Sequence, residues 1–131
     1  MKLNFTISEL IKSDVATKSK INNIPQSADI IDNLLLLILN VLQPLRNYVG
    51  RPVIITSGYR STALNKKVGG VANSQHLTGQ AADFVIQGLT IEEGIRAVKN
   101  SGVEFDQLIH EGTWIHISYK KTGNRKQILY L

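Results

Sequence analysis

Three residues with metal-binding side chains, His76, Asp83 and His116, lie in short segments of otherwise ordinary composition. Asp83 stands inside the apolar run Ala81–Ile86, and an ionised carboxylate in apolar surroundings costs several kcal/mol unless a cation or several donors compensate it. The run therefore predicts a buried strand whose aspartate either pairs with a cation or binds a metal. His76 precedes this strand across a glycine-containing turn.

The third residue, His116, lies in a second strand-like run, residues 114–119. Strand alternation places Trp114, His116 and Ser118 on one face. If the two strands are neighbours, Asp83 and His116 point to the same spot, and His76 closes over it. Two imidazoles and one carboxylate with an open fourth position form the ligand set of catalytic zinc, whereas structural zinc takes four protein ligands, often thiolates. The chain has no cysteine, so we expect a catalytic Zn²⁺ site.

Capping residues predict the short helices that surround these strands. Thr6 with Glu9, and Thr90 with Glu93, have the spacing of a capping box, and Ser61 can cap a further helix. The predicted helices cover about residues 8–13, 61–67 and 91–100, with Ser13-Asp14 and residues 21–25 breaking the chain after the first.

The main core helix is predicted to begin after Pro25, with Gln26 or Ser27 near its cap, and to end at about Val49. Pro44 should kink it or start a new turn, because proline lacks an N–H and clashes with the preceding turn. Apolar residues at spacings of 3, 4 and 7 form its buried stripe; they are Ile30, Ile31, Leu34, Leu35, Ile38, Val41, Leu42 and Leu45.

Five strand-like runs complete the chain, at residues 52–57, 81–86, 105–111, 114–119 and 127–131. The later runs follow one another as consecutive hairpins. We therefore expect a single α+β domain over residues 1–131, with a central, largely antiparallel sheet and flanking helices.

The net charge, the N-terminal residues and the longest apolar stretch indicate which partners and which cellular location to expect. The net charge of +5 favours anionic surroundings, and its densest segment, residues 120–126, is predicted to be a solvated hairpin tip. No aromatic residues interleave that segment, so no nucleic-acid partner is expected. Residues 1–6 lack the apolar stretch of a signal peptide, and the apolar stretch 30–45 is too short to span a bilayer. We expect a monomer made in the cytoplasm that another agent must deliver if it acts outside.

Three motifs together carry a family resemblance: SGYRS at 57–61, SQHLTGQAAD at 74–83 and WIHIS at 114–118. With them the chain resembles, over nearly its whole length, the zinc D-alanyl-D-alanine carboxypeptidase family. That family includes phage L-alanyl-D-glutamate endolysins and D-alanyl-D-alanine dipeptidases. The resemblance implies a Hedgehog-like fold and zinc bound by His76, Asp83 and His116.

The resemblance also implies catalytic residues. Family members commonly place an acidic residue three positions before the last ligand, where this chain has Thr113. We assign the catalytic base to Glu111, because the turn after it can fold it back to the metal, and keep His110 as the alternative. Arg60 corresponds to the family arginine and would stabilise the oxyanion or hold a substrate carboxylate. Its structural alternative is a salt bridge with Asp106 or Glu111.

The substrate implied by the resemblance is a peptidoglycan stem peptide. Ser74, Gln80 and Trp114 are assigned to substrate binding, although Trp114 could equally be core or cavity wall. The reaction would be that of a D-Ala-D-Ala carboxypeptidase or an L-Ala-D-Glu-type endopeptidase, in the latter case as a phage endolysin acting on the cell wall after lysis-type release. The alternative is a non-catalytic, zinc-containing cell-wall or protein-binding module of the same fold.

Overall fold

The sheet has five strands in the order β1-β2-β4-β3-β5 in the computed structural model, which describes residues 2–131. The pairs β1/β2, β2/β4 and β3/β4 are antiparallel, and β3/β5 is parallel. The sheet is therefore mixed, and the expected α+β class is confirmed. The strands are β1 Val53–Ser57, β2 Ala81–Ile86, β3 Gln107–His110, β4 Ile115–Ser118 and β5 Gln127–Tyr130.

Residues 2–131 also contain six α-helices, a π turn, Ile38–Leu42, and a 3₁₀ turn, Gln75–Thr78. The side chains of the predicted caps Thr6, Ser27, Ser61 and Thr90 each accept from a backbone N–H in the first turn of their helix. Thr90 and Glu93 form a complete capping box, whereas Thr6 and Glu9 form only the half in which Thr6 accepts. The helices are α1 Ile7–Ile11, α2 Asp14–Lys18, α3 Ala28–Leu37, α4 Gln43–Val49, α5 Thr62–Lys67 and α6 Ile91–Ser101.

The two faces of the sheet have different roles. One face carries Phe84, Ile115 and Ile117, which are fully buried in the core with the apolar side chains of α3, α4 and α6. Because side chains alternate along a strand, their neighbours Asp83 and His116 lie on the opposite face. The helices thus stabilise the sheet from one side and leave the other for the polar site.

The main helix is irregular at the proline, as the sequence predicts. The chain is helical from Ala28 to Val49, but the α-helical pattern widens into the π turn just before Pro44 and resumes from Gln43. Pro44 has no N–H to donate to the preceding turn, which explains the change at this point.

By length and composition this helix, Ala28–Val49, could cross a membrane. The sequence argument that residues 30–45 are too short therefore does not hold for the folded helix. Five residues of the predicted stripe are nevertheless buried in the core, as in the core helix of a globular domain; they are Leu34, Ile38, Val41, Leu42 and Leu45. The prediction is wrong for Leu35, which is 40% exposed, and Ile30 and Ile31 are only partly buried. The absence of a membrane span stays a prediction.

Two local features differ from the sequence prediction. The first helix does end before Ser13, but Ser13 also caps a second short helix, α2, which was not predicted, through its side-chain oxygen. The last strand, β5, does not form a hairpin with β4. It runs parallel to β3 on the far side, where Lys126 and Gln127 donate to the carbonyls of Phe105 and Asp106. Alternation along a strand defines its faces but not its neighbours, so this pairing was not visible in the sequence.

Candidate metal centre

Asp83 and His116 are brought together by strand pairing. They are direct partners in the antiparallel β2/β4 register. Asp83 Oδ1 lies 3.0 Å from His116 Nδ1, on the face of the sheet away from the helices. The backbone ladder thus fixes two of the three predicted ligands relative to each other.

His76 approaches the same carboxylate from the 3₁₀ turn. Its Nε2 lies 3.2 Å from Asp83 Oδ1, and its Nδ1 lies 2.7 Å from the carbonyl oxygen of Gly58. A carbonyl can only accept, so Nδ1 carries the hydrogen of this contact, and Nε2 is the ring nitrogen that faces Asp83. Proteins usually orient a metal-binding histidine in this way, through a hydrogen bond from the ring nitrogen that does not bind the metal.

The turn that carries His76 is held by its own capping residue. Ser74 Oγ accepts a hydrogen bond from the His76 N–H, and Arg60 N–H donates to the His76 carbonyl. Gly58 is also constrained, because a Cβ at that position would overlap the carbonyl oxygen of Leu10. Glycine is therefore required where the chain passes closely behind the histidine.

The electrostatics of the centre favour a charged carboxylate. Burial by itself raises the pKa of Asp83, but hydrogen bonds from His116 and His76 outweigh it and hold that pKa well below its usual range. The carboxylate is therefore ionised at neutral pH, as a metal ligand must be.

The three side chains fit a zinc ion. One ligand atom from each of His76, Asp83 and His116 lies within 4.8 Å of the other two. Two nitrogens and one oxygen, with the centre open to a cavity, are the donor set of catalytic zinc. Zinc binding requires oriented imidazoles and a deprotonated carboxylate, and His76, held by Gly58, and the ionised Asp83 meet these requirements.

Arg60 contacts the other oxygen of Asp83. Its Nη2 lies 3.4 Å from Asp83 Oδ2, Nε donates to Ser57, and Nη1 donates to Asn65. Arg60 therefore pairs with neither Asp106 nor Glu111, the salt-bridge alternatives suggested by the sequence. Its side chain is mostly buried and lines the cavity at the metal centre.

The cavity above the centre has a volume of about 680 Å³. On β3 and just beyond it, alternate residues Gln107, Ile109 and Glu111 line its wall. His110 points away: it stacks beside Tyr130, and its Nδ1 accepts from the Gly112 N–H. Of the two residues considered as the base, only Glu111 is in the cavity.

Of the three residues assigned to substrate binding, two line the cavity and one does not. Ser74 and the partly exposed Trp114 line the cavity. Gln80 is not among its lining residues, and its side-chain carbonyl instead accepts a hydrogen bond from Thr78. The structure therefore gives no support to the assignment of Gln80.

Sequence reasoning missed Arg125, which lines the cavity from the loop before β5. Its Nε and Nη2 donate to the two oxygens of Asp106 at 2.9 and 2.8 Å. Asp106 is fully buried and also accepts from Gln75, the residue before His76. The pairing brings together two distant segments, so the signal in the sequence was limited to an aspartate in the strand-like run 105–111 and a basic segment at 120–126.

Comparison with known proteins agrees with this centre. A sequence model of the family described as Peptidase M15 matches residues 3–118. A segment of 44 residues, 33% of the chain, is 43% identical to the zinc D-Ala-D-Ala carboxypeptidase of Streptomyces albus G, and it spans 17% of that relative's length.

The mixed sheet, the open cavity and the two-histidine, one-aspartate donor set define a zinc centre of the metallopeptidase type. Since the family match covers most of the sequence, the chain belongs to the Peptidase M15 family. The family resemblance inferred from the motifs is thereby confirmed.

Proposed function

We propose that this protein is a zinc-dependent peptidoglycan peptidase that hydrolyses an amide bond in cell-wall stem peptides. One observation carries the proposal: Asp83 Oδ1 lies 3.2 Å from His76 Nε2 and 3.0 Å from His116 Nδ1, at a cavity that also contains a free carboxylate, Glu111. Family membership and the name of the Streptomyces relative support the substrate class.

Zinc would be held by His76 Nε2, an oxygen of Asp83 and His116 Nδ1. When bound, zinc acts as a Lewis acid and lowers the pKa of water to about 7. The protein's own contribution is a rigid donor set, in which strand register fixes Asp83 and His116 and the Gly58 carbonyl fixes His76.

Glu111 is the proposed general base. It would accept a proton from the attacking water and pass it to the nitrogen of the leaving amine as the C–N bond breaks. Its position supports this role, because it lies at the end of β3 on the cavity side, while His110 lies outside the cavity. His110 is therefore the weaker candidate.

Arg60 is the proposed electrophilic residue. Its guanidinium is permanently charged and is held at the metal centre by Asp83, Ser57 and Asn65. In that position it would stabilise the oxyanion of the tetrahedral intermediate or bind a substrate carboxylate. Ser74 and Trp114, which line the same cavity, would contact the peptide.

The bond that is cut is proposed to be D-Ala-D-Ala, as in the name of the relative, or the L-Ala-D-Glu bond of an endopeptidase. In the latter case the protein would be a phage endolysin that reaches the wall after lysis. We further propose that residues 1–131 form one monomeric peptidase domain with a Hedgehog-like fold and no membrane span.

The competing function is a non-catalytic binding module that keeps zinc for structure. Glu111 distinguishes the two, because a structural site does not need a free carboxylate in its cavity. Incubation of the zinc-loaded protein with purified peptidoglycan, followed by mass spectrometry of the released fragments, tests the proposal. We expect new peptide termini with the wild type and far fewer in the same time with Glu111→Gln; binding of the wild type to peptidoglycan without any released fragment would instead support the module.

A further inference from the structure

We propose that Arg125 is a specificity-determining residue that binds a carboxylate of the substrate peptide away from the bond being cut. This inference rests on the proposed peptidase function. Arg125 lies beyond residues 3–118, the segment that matches the family model.

The first support is the orientation of the guanidinium. Arg125 uses its Nε and Nη2 edge to contact Asp106, and its backbone N–H also donates to that carboxylate. Within residues 2–131, Nη1 has no hydrogen-bond partner. The side chain is 53% exposed and lines the cavity, so free N–H groups remain available to a ligand.

The second support is charge. Asp106 is approached by two cations, Arg125 at 2.8 Å and Lys120 Nζ at 3.6 Å, so these side chains together keep one positive charge. The carboxylate lies fully buried behind the guanidinium, on the side away from solvent. The cluster therefore offers a cation to the cavity in a fixed orientation, and a guanidinium binds a carboxylate through paired hydrogen bonds.

The third support is the connection to the metal centre. Asp106 accepts from Gln75, which precedes His76, and its own N–H donates to Ser118, two residues after His116. The residue that holds Arg125 is thus tied to both segments that carry the histidines. A peptide with one end at the centre would meet Arg125 at a fixed position along the same cavity.

A stem peptide offers two carboxylates, that of its glutamyl residue and that of its C terminus. The test uses three synthetic stem peptides: unmodified, amidated at the glutamyl carboxylate, and amidated at the C terminus. Affinity is measured in a Glu111→Gln background, where hydrolysis is expected to be too slow to consume the peptide during the titration. The fluorescence of Trp114, the single tryptophan, provides the readout because this residue lines the cavity.

We expect one of the two amidations to weaken binding about tenfold, the size expected for losing a charge-assisted hydrogen bond. The paired change Asp106→Asn with Arg125→Gln removes the guanidinium together with the buried carboxylate charge that it neutralises, so that no unpaired buried charge is left behind. The paired variant should bind the unmodified peptide and that amidated peptide with the same affinity. Lys121→Gln, which removes a charge from an exposed residue of the same loop outside the cavity, should bind all three peptides as the wild type does.

An amidation effect that survives in the paired variant would overturn the inference and assign the carboxylate to Arg60 or another cation. Equal binding of all three peptides by the parent would also overturn it. Hydrolysis by the unmutated enzyme, followed separately by mass spectrometry, shows whether the proposed function holds in these cases. If no stem peptide binds, the inference is wrong; if the unmutated enzyme also cleaves none, the proposed function is wrong as well.

Discussion

Asp83 and His116 are register partners in the antiparallel β2/β4 pair, and Asp83 Oδ1 lies 3.0 Å from His116 Nδ1. The geometry of the centre is therefore set by the backbone ladder of the sheet rather than by flexible loops. Only His76 comes from outside the sheet, and the Gly58 carbonyl holds its ring. A centre built this way is rigid before metal binds, which reduces the reorganisation that binding requires.

Replacing the proposed base should separate catalysis from metal binding. Glu111→Gln removes the proton acceptor but none of the three ligands, so we expect kcat to fall about 10²- to 10⁴-fold with zinc content unchanged. Steady-state kinetics and metal analysis measure the two effects. His110→Gln is the matched control, because His110 lies one residue away but outside the cavity. A larger loss of activity in the control would transfer the role to His110.

The contact behind His76 should matter for both stability and metal affinity. An added Cβ in Gly58→Ala would overlap the Leu10 carbonyl and displace the Gly58 carbonyl from His76 Nδ1. We expect weaker zinc binding, by about 10- to 100-fold, as for other residues that orient a metal ligand. Competition with a chromogenic chelator measures this affinity.

Gly102→Ala provides the control for that variant. Gly102 has a positive φ of 78° at the end of α6, so alanine there costs stability through backbone strain without touching the centre. It should lower the melting temperature and keep zinc affinity. Loss of zinc affinity in both variants would show that general destabilisation, rather than the orientation of His76, explains the effect.

The Asp106–Arg125 pair should make stability depend on acid pH. Hydrogen bonds from Arg125 outweigh burial and hold the pKa of Asp106 well below its usual value of 3.8. Since the folded state favours the charged form, the pair stabilises fully above the usual pKa and loses its contribution as the pH falls towards the lowered one.

Asp106→Asn should therefore lower the free energy of unfolding by about 2 kcal/mol at pH 7, the scale of hydrogen bonds to a charged group. The difference from the wild type should shrink below about pH 4. Urea denaturation at several pH values measures both. The exposed Asp32→Asn serves as the control and should stay within about 0.5 kcal/mol of the wild type. A difference for Asp106→Asn that does not change with pH would contradict this account of the pair.

The convergence of His76, Asp83 and His116 could be predicted from the sequence because strand alternation defines faces, and a carboxylate in an apolar strand requires a partner. Helix caps such as Ser61 and Thr90 were equally visible, since capping depends on residues only a few positions apart.

Contacts between distant segments were not visible. The parallel pairing of β5 with β3 and the contact of Arg125 with Asp106 join segments far apart in the sequence, which no local pattern encodes. Because the position of β5 was not predicted, Arg125 was not recognised as a cavity residue. The choice between Glu111 and His110 likewise required the true register of β3, because a shift of one residue exchanges the two faces of a strand.

The most direct test is the zinc content and zinc affinity of the wild type, the double variant His76→Ala with Asp83→Ala, and His110→Ala, measured after removal of metal by a chelator and addition of zinc. We expect the wild type and His110→Ala to bind zinc stoichiometrically. The double variant should bind essentially none and release no peptides from peptidoglycan, since two of three ligands are gone. A double variant that binds zinc as the wild type does, or that is fully active without metal, would contradict the assignment of this centre.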